Sequence, residues 1–444
     1  MARGQDLVLG LGRSGWASVE WLTAQGRHVI AVDDRPGPAP GELPTPLPAG
    51  VTLIWGGATP EQLAGCDRLV AAPGVPGTHP LICEACRLGI EVVGDVELFV
   101  RAIKRPILAI TGTNGKSSVA TLVADMLERA GHRVRAGANL GTPALKLALE
   151  PLADCYVFEL SSFQLERIHS LRARAAVVLN VSQDHLDRHP SLEDYVRAKA
   201  RIYRNAAIRV ANRDDPLVMS MTGLGRPDWT FGFTPPGSDR AFGIRSGQSG
   251  PVLARGRKTL LPLAEVPGTG RIAALNALAA LALTADLGLD PEAVLEAIRA
   301  FRGLPHRLEF VGTLRGVRFV DDSKATNVGS AVASVESFDD PVVLIAGGVG
   351  KGQDFRPWAD AVAPKVRSVF LIGDSAATMA DRLRGRCPVE TVRDLGEAVQ
   401  RAFRAASAGD LVLLAPACAS FDQFQDYAER GRVFQQAFRE LDHG

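Results

Sequence analysis

Short apolar runs alternate with longer amphipathic segments along nearly the whole chain, and that alternation predicts parallel strands covered by helices. A strand is read at 7–10, a helix at 14–25 and a strand at 28–33. Six prolines between Pro36 and Pro48 mark a stiff surface connection. A helical stretch at 96–103 precedes Pro106, which opens a new strand at 107–111. Strands are expected again at 156–160 and 176–180, with a helix at 192–203, and the Gly- and Ser-rich stretch 235–258 predicts hairpins. Asp290-Pro291-Glu292 starts a helix that ends near Phe301, with an acidic cap and proline at its first position. Strands at 318–320, 342–346, 368–372 and 411–415 complete the pattern.

At roughly 100 to 200 residues per domain, 444 residues predict three domains. Their boundaries are read at 1–94, 95–303 and 304–444, from the new strand after Pro106 and from Gly303-Leu304-Pro305. The chain is 46% hydrophobic and 22% charged, the balance of a soluble, well-cored protein. A net charge of +1 offers no broad positive field, so nucleic acid is not expected as a partner. No uncharged stretch reaches the roughly 18 apolar residues of a membrane span, and 272–285, the nearest, contains Asn276. The first strand begins too early for a signal peptide, which predicts a cytoplasmic protein. Cys83-x-x-Cys86 lacks a second pair at zinc spacing and is read as packing on a helix. Only eight of the 50 basic residues are lysine, so a retained lysine marks a place where a compact, titratable amine is wanted.

Gly10-Leu11-Gly12-Arg13-Ser14-Gly15 follows a strand and opens a helix, with Asp33 and Asp34 about twenty residues on, as in dinucleotide-binding folds. Any nucleotide diphosphate satisfies the same geometry, so NAD and another diphosphate remain open at this point. Thr111-Gly112-Thr113-Asn114-Gly115-Lys116-Ser117-Ser118 reads as a phosphate-binding loop, although Ile110 stands where the first glycine of the general pattern belongs. Lys116 would neutralise phosphate oxygens and the Ser117 hydroxyl would ligate Mg²⁺. The expected class is therefore α/β, with Rossmann-like first and last domains and a P-loop ATPase-like central domain, each a largely parallel sheet flanked by helices. A chain with both motifs binds two phosphorylated ligands, which an ATP-driven reaction on a nucleotide-linked substrate requires.

Glu159 ends one apolar strand and His185 follows the next, both where α/β sheets present ligands. Lys199 lies in the helix fourteen residues beyond His185. The third unit adds three loops at strand ends: Asp321-Asp322-Ser323-Lys324-Ala325-Thr326-Asn327, Gly347-Gly348-Val349-Gly350-Lys351-Gly352 and Ala417-Cys418-Ala419-Ser420-Phe421-Asp422.

Together these strings resemble the Mur ligases over the whole chain. The phosphate loop, Glu159-Leu160-Ser161-Ser162, Asp184-His185 and Pro305-His306-Arg307 match the superfamily, which includes folylpolyglutamate synthetases. The segments 321–327 and 417–420 resemble its D-glutamate-adding branch. The resemblance implies three domains that bind, in order, the UDP-sugar, ATP and the incoming amino acid. It assigns Arg13, Ser14, Asp34, Arg35, Gly74 and Asn139 to UDP-N-acetylmuramoyl-L-alanine. ATP falls to Gly112, Thr113, Asn114, Gly115, Lys116, Ser117 and Ser118, with Arg307 and Asp322. D-Glutamate falls to Thr326, Lys351, Ser420, Phe421 and Tyr427.

The implied reaction is amide-bond formation through an acyl phosphate, in peptidoglycan precursor synthesis. Lys116, Glu159, His185, Lys199 and Lys324 would be catalytic. Two Mg²⁺ ions would be held through Ser117, Glu159, His185 and Lys199, the last as a CO₂-derived carbamate. A monomer is expected. Two positions depart from the family pattern: Ile272-Ala273 replaces His-Asn, and Val349 replaces an acidic residue. Both departures predict weakened or altered ATP affinity rather than inactivity. The alternatives are an NAD-linked oxidoreductase and a non-catalytic UDP-sugar-binding relative.

Overall fold

The computed structural model describes residues 4–38, 47–185, 188–221, 227–268 and 270–441. Most of the proline-rich connection, and Leu186 and Asp187 after His185, lie outside the described residues.

Three sheets follow one another along the chain. The first comprises β1 (Gln5–Leu9), β2 (His28–Asp33), β3 (Val51–Trp55), β4 (Cys66–Ala71) and β5 (Glu91–Val93), in the order β3-β2-β1-β4-β5, all parallel. The second comprises β6 (Ile107–Thr111), β7 (Val134–Ala138), β8 (Cys155–Glu159), β9 (Ala175–Val178), β10 (Arg209–Asn212), β11 (Trp229–Phe231), β12 (Ala241–Gly247), β13 (Gly250–Arg255) and β14 (Lys258–Pro262). Its order is β14-β13-β12-β11-β10-β9-β6-β8-β7; only the expected hairpins β12–β13–β14 are antiparallel. The third comprises β15 (Glu309–Leu314), β16 (Val317–Asp321), β17 (Val342–Gly347), β18 (Val366–Ile372), β19 (Val389–Thr391) and β20 (Leu411–Leu414), in the order β15-β16-β20-β17-β18-β19 with β15 antiparallel. The strands β6, β8, β9, β17 and β20 are buried at every residue, as their unbroken apolar runs require of strands covered on both faces.

The helix Asp95–Ala102, between the first two sheets, packs against the second, and polar contacts cross from unit to unit. Phe99, on the helix Asp95–Ala102, packs edge-on against Tyr156 and Phe158 of β8 at 4.9 and 4.8 Å between ring centres. The buried Glu97 carboxylate accepts from the His169 and Ser170 amides at 2.7 and 2.9 Å. Arg167 reaches back to the carbonyls of Ala72 and Val75. The third unit meets the second where Asn327 Nδ2 donates to Asp184 Oδ2 at 2.9 Å and Arg307 donates to Ser117 Oγ at 2.8 Å.

Two local expectations differ from the structure. The α-helix that carries Lys199 ends at Ala200 and continues as a tighter 3₁₀ turn, Arg201–Tyr203. Cys83 and Cys86 do lie on a helix, Pro80–Arg87, but both are exposed rather than packed, because its buried face is Leu81, Ile82 and Ala85.

Candidate active site

The phosphate loop is built by its backbone. β6 runs into the turn, and Gly115, at φ +83°, caps the helix Lys116–Arg129. A side chain would be strained there, and its Cβ would sit 2.8 Å from Asn276 Oδ1. Lys116 folds back over the loop and donates to the carbonyls of Gly112 and Thr113 at 2.9 and 2.8 Å. Burial pushes its amine below the ordinary lysine range, with the Glu159 carboxylate opposing.

Glu159, at the end of β8, is almost fully buried; it accepts from the Ser117 hydroxyl at 2.6 Å and from Asn139 Nδ2 at 2.5 Å. A hydroxyl and a carboxylate so close, beside a phosphate loop, form a hard-oxygen pair of the kind Mg²⁺ takes. Lys199 is 1% exposed, donates to the Gly112 carbonyl at 2.8 Å and lies 4.4 Å from the centre of the Tyr195 ring. Burial, reinforced by the nearby Lys116 charge, holds its amine well below the ordinary value. His185 is half-exposed, at φ +54°, edge-on to Phe163.

One cleft is lined by Lys116, Ser117, Glu159, His185 and Lys199 from the central unit. Arg13 from the first unit borders it, and Arg307, Lys324, Thr326, Lys351, Ser420, Phe421 and Tyr427 come from the third. Burial, with Arg307 and Lys116 adding to it, lowers Lys324 to about 8, and its amine sits 3.8 Å from the Tyr427 ring centre. Beside the phosphate loop a second cavity is walled by Leu122, Ile272, Ala273, Asn276, Ile298 and Phe301, with Arg307 and Asp322 at its edge. Asp322 is held by the Ser334 hydroxyl, and burial raises it to about 6.

The first glycine loop borders a third cavity that contains Arg13, Ser14, Asp34 and Gly74. It shares Arg13, Asn139 and Gly141 with the main cleft. Asp33 accepts from the Leu11 amide of the glycine loop at 2.7 Å and from Arg35 at 2.8 Å, and Asp33 and Asp34 both border the cavity. Arg35 lies over the Trp55 ring and does not border that cavity. Val349 is likewise away from the cavity beside the phosphate loop, because its backbone pairs with Ala419 at 2.9 and 3.0 Å and ties two loops of the third unit together.

Several residues that shape the site carry no motif. Arg430 is completely buried; it donates to Ser323 Oγ and to the carbonyls of Ser323 and Cys418 at 3.0, 2.8 and 3.1 Å. It thereby ties together the loops that carry Lys324 and Ser420. His189, 3% exposed, contacts Ser162 Oγ at 2.9 Å, and Ser334 holds Asp322. Asn327 was visible in the sequence only as the last residue of the polar segment 321–327.

Comparison with known proteins matches each unit. Residues 4–94 match the "Mur ligase MurD-like, N-terminal domain", 110–284 the "Mur ligase middle domain" and 306–418 the "Mur ligase, glutamate ligase domain". The chain is 44% identical over 440 residues to the UDP-N-acetylmuramoylalanine--D-glutamate ligase of Nitrosococcus oceani, covering 98% of this chain and 96% of that one. It is 43% identical over 449 residues to the enzyme of the same name from Nitrosomonas europaea, covering 98% and 95%. Among solved structures, the UDP-N-acetylmuramate-alanine ligase of Thermotoga maritima shares the fold with a TM-score of 0.60 at 19% identity, covering 98% of this chain and 99% of that one.

Proposed function

The chain belongs to the Mur ligase family, and on that premise we propose that it catalyses the ATP-dependent addition of D-glutamate to UDP-N-acetylmuramoyl-L-alanine in peptidoglycan precursor synthesis. The observation that carries the reading is the single cleft into which all three units bring cations around a phosphate loop. In the reaction, the substrate carboxylate attacks the γ-phosphorus of ATP, giving an acyl phosphate and ADP. The D-glutamate amine then attacks the acyl carbon, and phosphate leaves as the amide forms.

Bringing a carboxylate to a triphosphate costs about 4 kcal/mol per charge pair at 4 Å and an effective dielectric of 20. Lys116 and Arg307 stand at the phosphate loop to offset that repulsion, and Lys324 and Lys351 offset it from the facing unit. Mg²⁺ would be held by Ser117 and Glu159, with His185 and Lys199 in the same cleft, and supplies further charge neutralisation. Burial keeps the Lys199 amine available in its neutral form. A neutral amine adds to CO₂ with loss of a proton, giving an anionic carbamate oxygen suited to a hard cation. The cavity with Arg13, Ser14, Asp34, Gly74 and Asn139 would take the UDP-sugar, with Arg35 bracing its Asp33 wall. Gly112 to Ser118, Arg307 and Asp322 would take ATP, and Thr326, Lys351, Ser420, Phe421 and Tyr427 D-glutamate.

A monomer is proposed, acting in the cytoplasm, where ATP and a UDP-sugar would both be at hand. No helix among the described residues is long and apolar enough to cross a membrane. An oxidoreductase would leave the phosphate loop without a role, and a non-catalytic binder would leave the buried lysines without one. The test is a phosphate-release assay with a panel of amino acids. Release that requires UDP-N-acetylmuramoyl-L-alanine, D-glutamate and Mg²⁺ together is expected; ATP hydrolysis indifferent to both organic substrates would defeat the proposal.

A further inference from the structure

Arg307 reaches from the third unit to Ser117 of the phosphate loop, and both of its neighbours are in the left-handed region: His306 at φ +60° and Leu308 at φ +48°. Neither is glycine, so the surroundings must hold this turn against its strain. They do so with two adjacent acids at the end of β16. Asp321, fully buried, faces His306 Nδ1 at 2.7 Å, and Asp322 accepts from the Leu308 amide at 3.3 Å. The His306 carbonyl accepts from the Lys324 amide at 3.1 Å, and its own amide donates to Glu309 Oε2 at 2.7 Å. Gln435 Nε2 donates to both carboxylates, at 3.0 Å to Asp321 and 3.1 Å to Glu309. A carboxylate only accepts, so the imidazole proton belongs on Nδ1.

The ring has room only because the helix Tyr427–Leu441 presents a glycine to it. A Cβ on Gly431 would lie 2.1 Å from His306 Nδ1 and 2.7 Å from the next two ring atoms. Gly431 is not in a left-handed conformation, so what it supplies is space rather than freedom of the backbone.

We propose that His306, seated on Gly431 and oriented by Asp321 and Gln435, is a positioning residue that sets the direction of Arg307 towards the phosphate loop. This deepens the ATP-site reading above and rests on it. Through this seat the last helix of the chain controls a side chain that acts on the nucleotide, although the helix itself contributes nothing to the phosphate loop. The trio His306, Glu309 and Asp321 brings its donor atoms within 4.8 Å of one another, yet its groups are already taken up by this network, so it acts as a brace and not as a metal site.

The test is a coupling measurement on the full chain. G431A and H306A are made singly and together, and kcat and KM are measured for ATP and for D-glutamate, alongside ADP affinity by calorimetry. G431A is expected to lower kcat/KM for ATP by about tenfold or more, because a misplacement near 1 Å in a catalytic constellation costs up to about a hundredfold. KM for D-glutamate should stay within about twofold. Added to H306A, G431A should cost nothing further, because the clash has been removed. H306N, whose amide nitrogen can stand where Nδ1 does, should restore most of what H306A loses. Equal losses from G431A in both backgrounds, or a loss shared equally by D-glutamate, would overturn the proposal. If G431A does not fold, Q435M carries the same test without added bulk: an ATP-confined loss that vanishes in H306A is expected, and an additive loss overturns it. ADP affinity reports the coupling even if the unaltered chain shows no three-substrate phosphate release, so failure of the ligase reading is distinguishable from failure of this one.

Discussion

Replacing His189 by glutamine isolates one buried titration from the rest of the molecule. His189 is 3% exposed, contacts Ser162 Oγ at 2.9 Å and packs against Phe163 and Tyr195 at 5.6 and 5.1 Å between ring centres. Burial, with the Arg188 charge adding to it, lowers the imidazole from 6.5 to about 4. The unfolded chain therefore binds a proton that the folded chain refuses between these values, and stability rises with pH across that window. Its slope is about 1.4 kcal/mol per pH unit, and the whole effect is about 3 kcal/mol, present above pH 6.5 and lost as the pH falls towards 4. Glutamine keeps an amide for Ser162 but gives up the ring contacts, a cost of about 1 kcal/mol. His189→Gln should thus be less stable than the parent by about 1 kcal/mol at pH 7.5 and more stable by about 2 kcal/mol at pH 4, the two crossing near pH 6. Urea unfolding of both proteins from pH 7.5 to 4 reads the difference directly, since carboxylates common to both cancel. A stability difference that does not change with pH would refute the reasoning.

Four further outcomes are expected. Lys199→Ala should lose activity by about a hundredfold or more and regain it with added short carboxylic acids; no recovery in a rate assay would count against a carbamate. Gly115→Ala should raise KM for ATP, because holding φ at +83° costs a non-glycine residue about 1 to 2 kcal/mol, and an unchanged KM would show that the loop tolerates the strain. Arg430→Met should raise KM for D-glutamate by about tenfold while KM for ATP moves little, since it unties the loops that carry Lys324 and Ser420; equal changes in both constants would contradict that division. Ile272→His with Ala273→Asn should tighten ADP binding in calorimetry by about tenfold, because both positions wall the cavity beside the phosphate loop.

What was legible in the sequence was mostly backbone-defined. The phosphate loop, the ends of β8 and β20 and the glycine turn after β1 are read from neighbours in the chain, because strand, turn and helix cap are local. The capped helix Pro291–Ala300 was legible for the same reason, Asp290 accepting from the amides of Glu292 and Ala293. Braces were not legible, because their partners are remote in sequence. Arg430 stands 107 residues from Ser323, and Gln435 stands 114 from Asp321. Val349 was read as a change at the nucleotide because it replaces an acidic residue of the family pattern, yet pairing with Ala419 turns it to the loops of the third unit.

The same distances explain why this chain, with so few lysines, keeps them where it does. At Arg430 the task is to join fixed oxygens on separate loops, and a planar fork of donors reaches Ser323 Oγ and two carbonyls at once while staying charged. Even there burial lowers the guanidinium, to about 10. Lys116 and Lys199 instead converge on one carbonyl, that of Gly112, and the charge on Lys116 disfavours a charge on its neighbour. Two guanidiniums could not relieve that repulsion at neutral pH, because neither would give up its proton. A pair of amines can, with one left neutral. Exchanging Lys199 for arginine should therefore be worse for the fold than exchanging it for methionine: methionine leaves the Gly112 carbonyl with its Lys116 donor, whereas arginine forces a second permanent charge into a site 1% exposed.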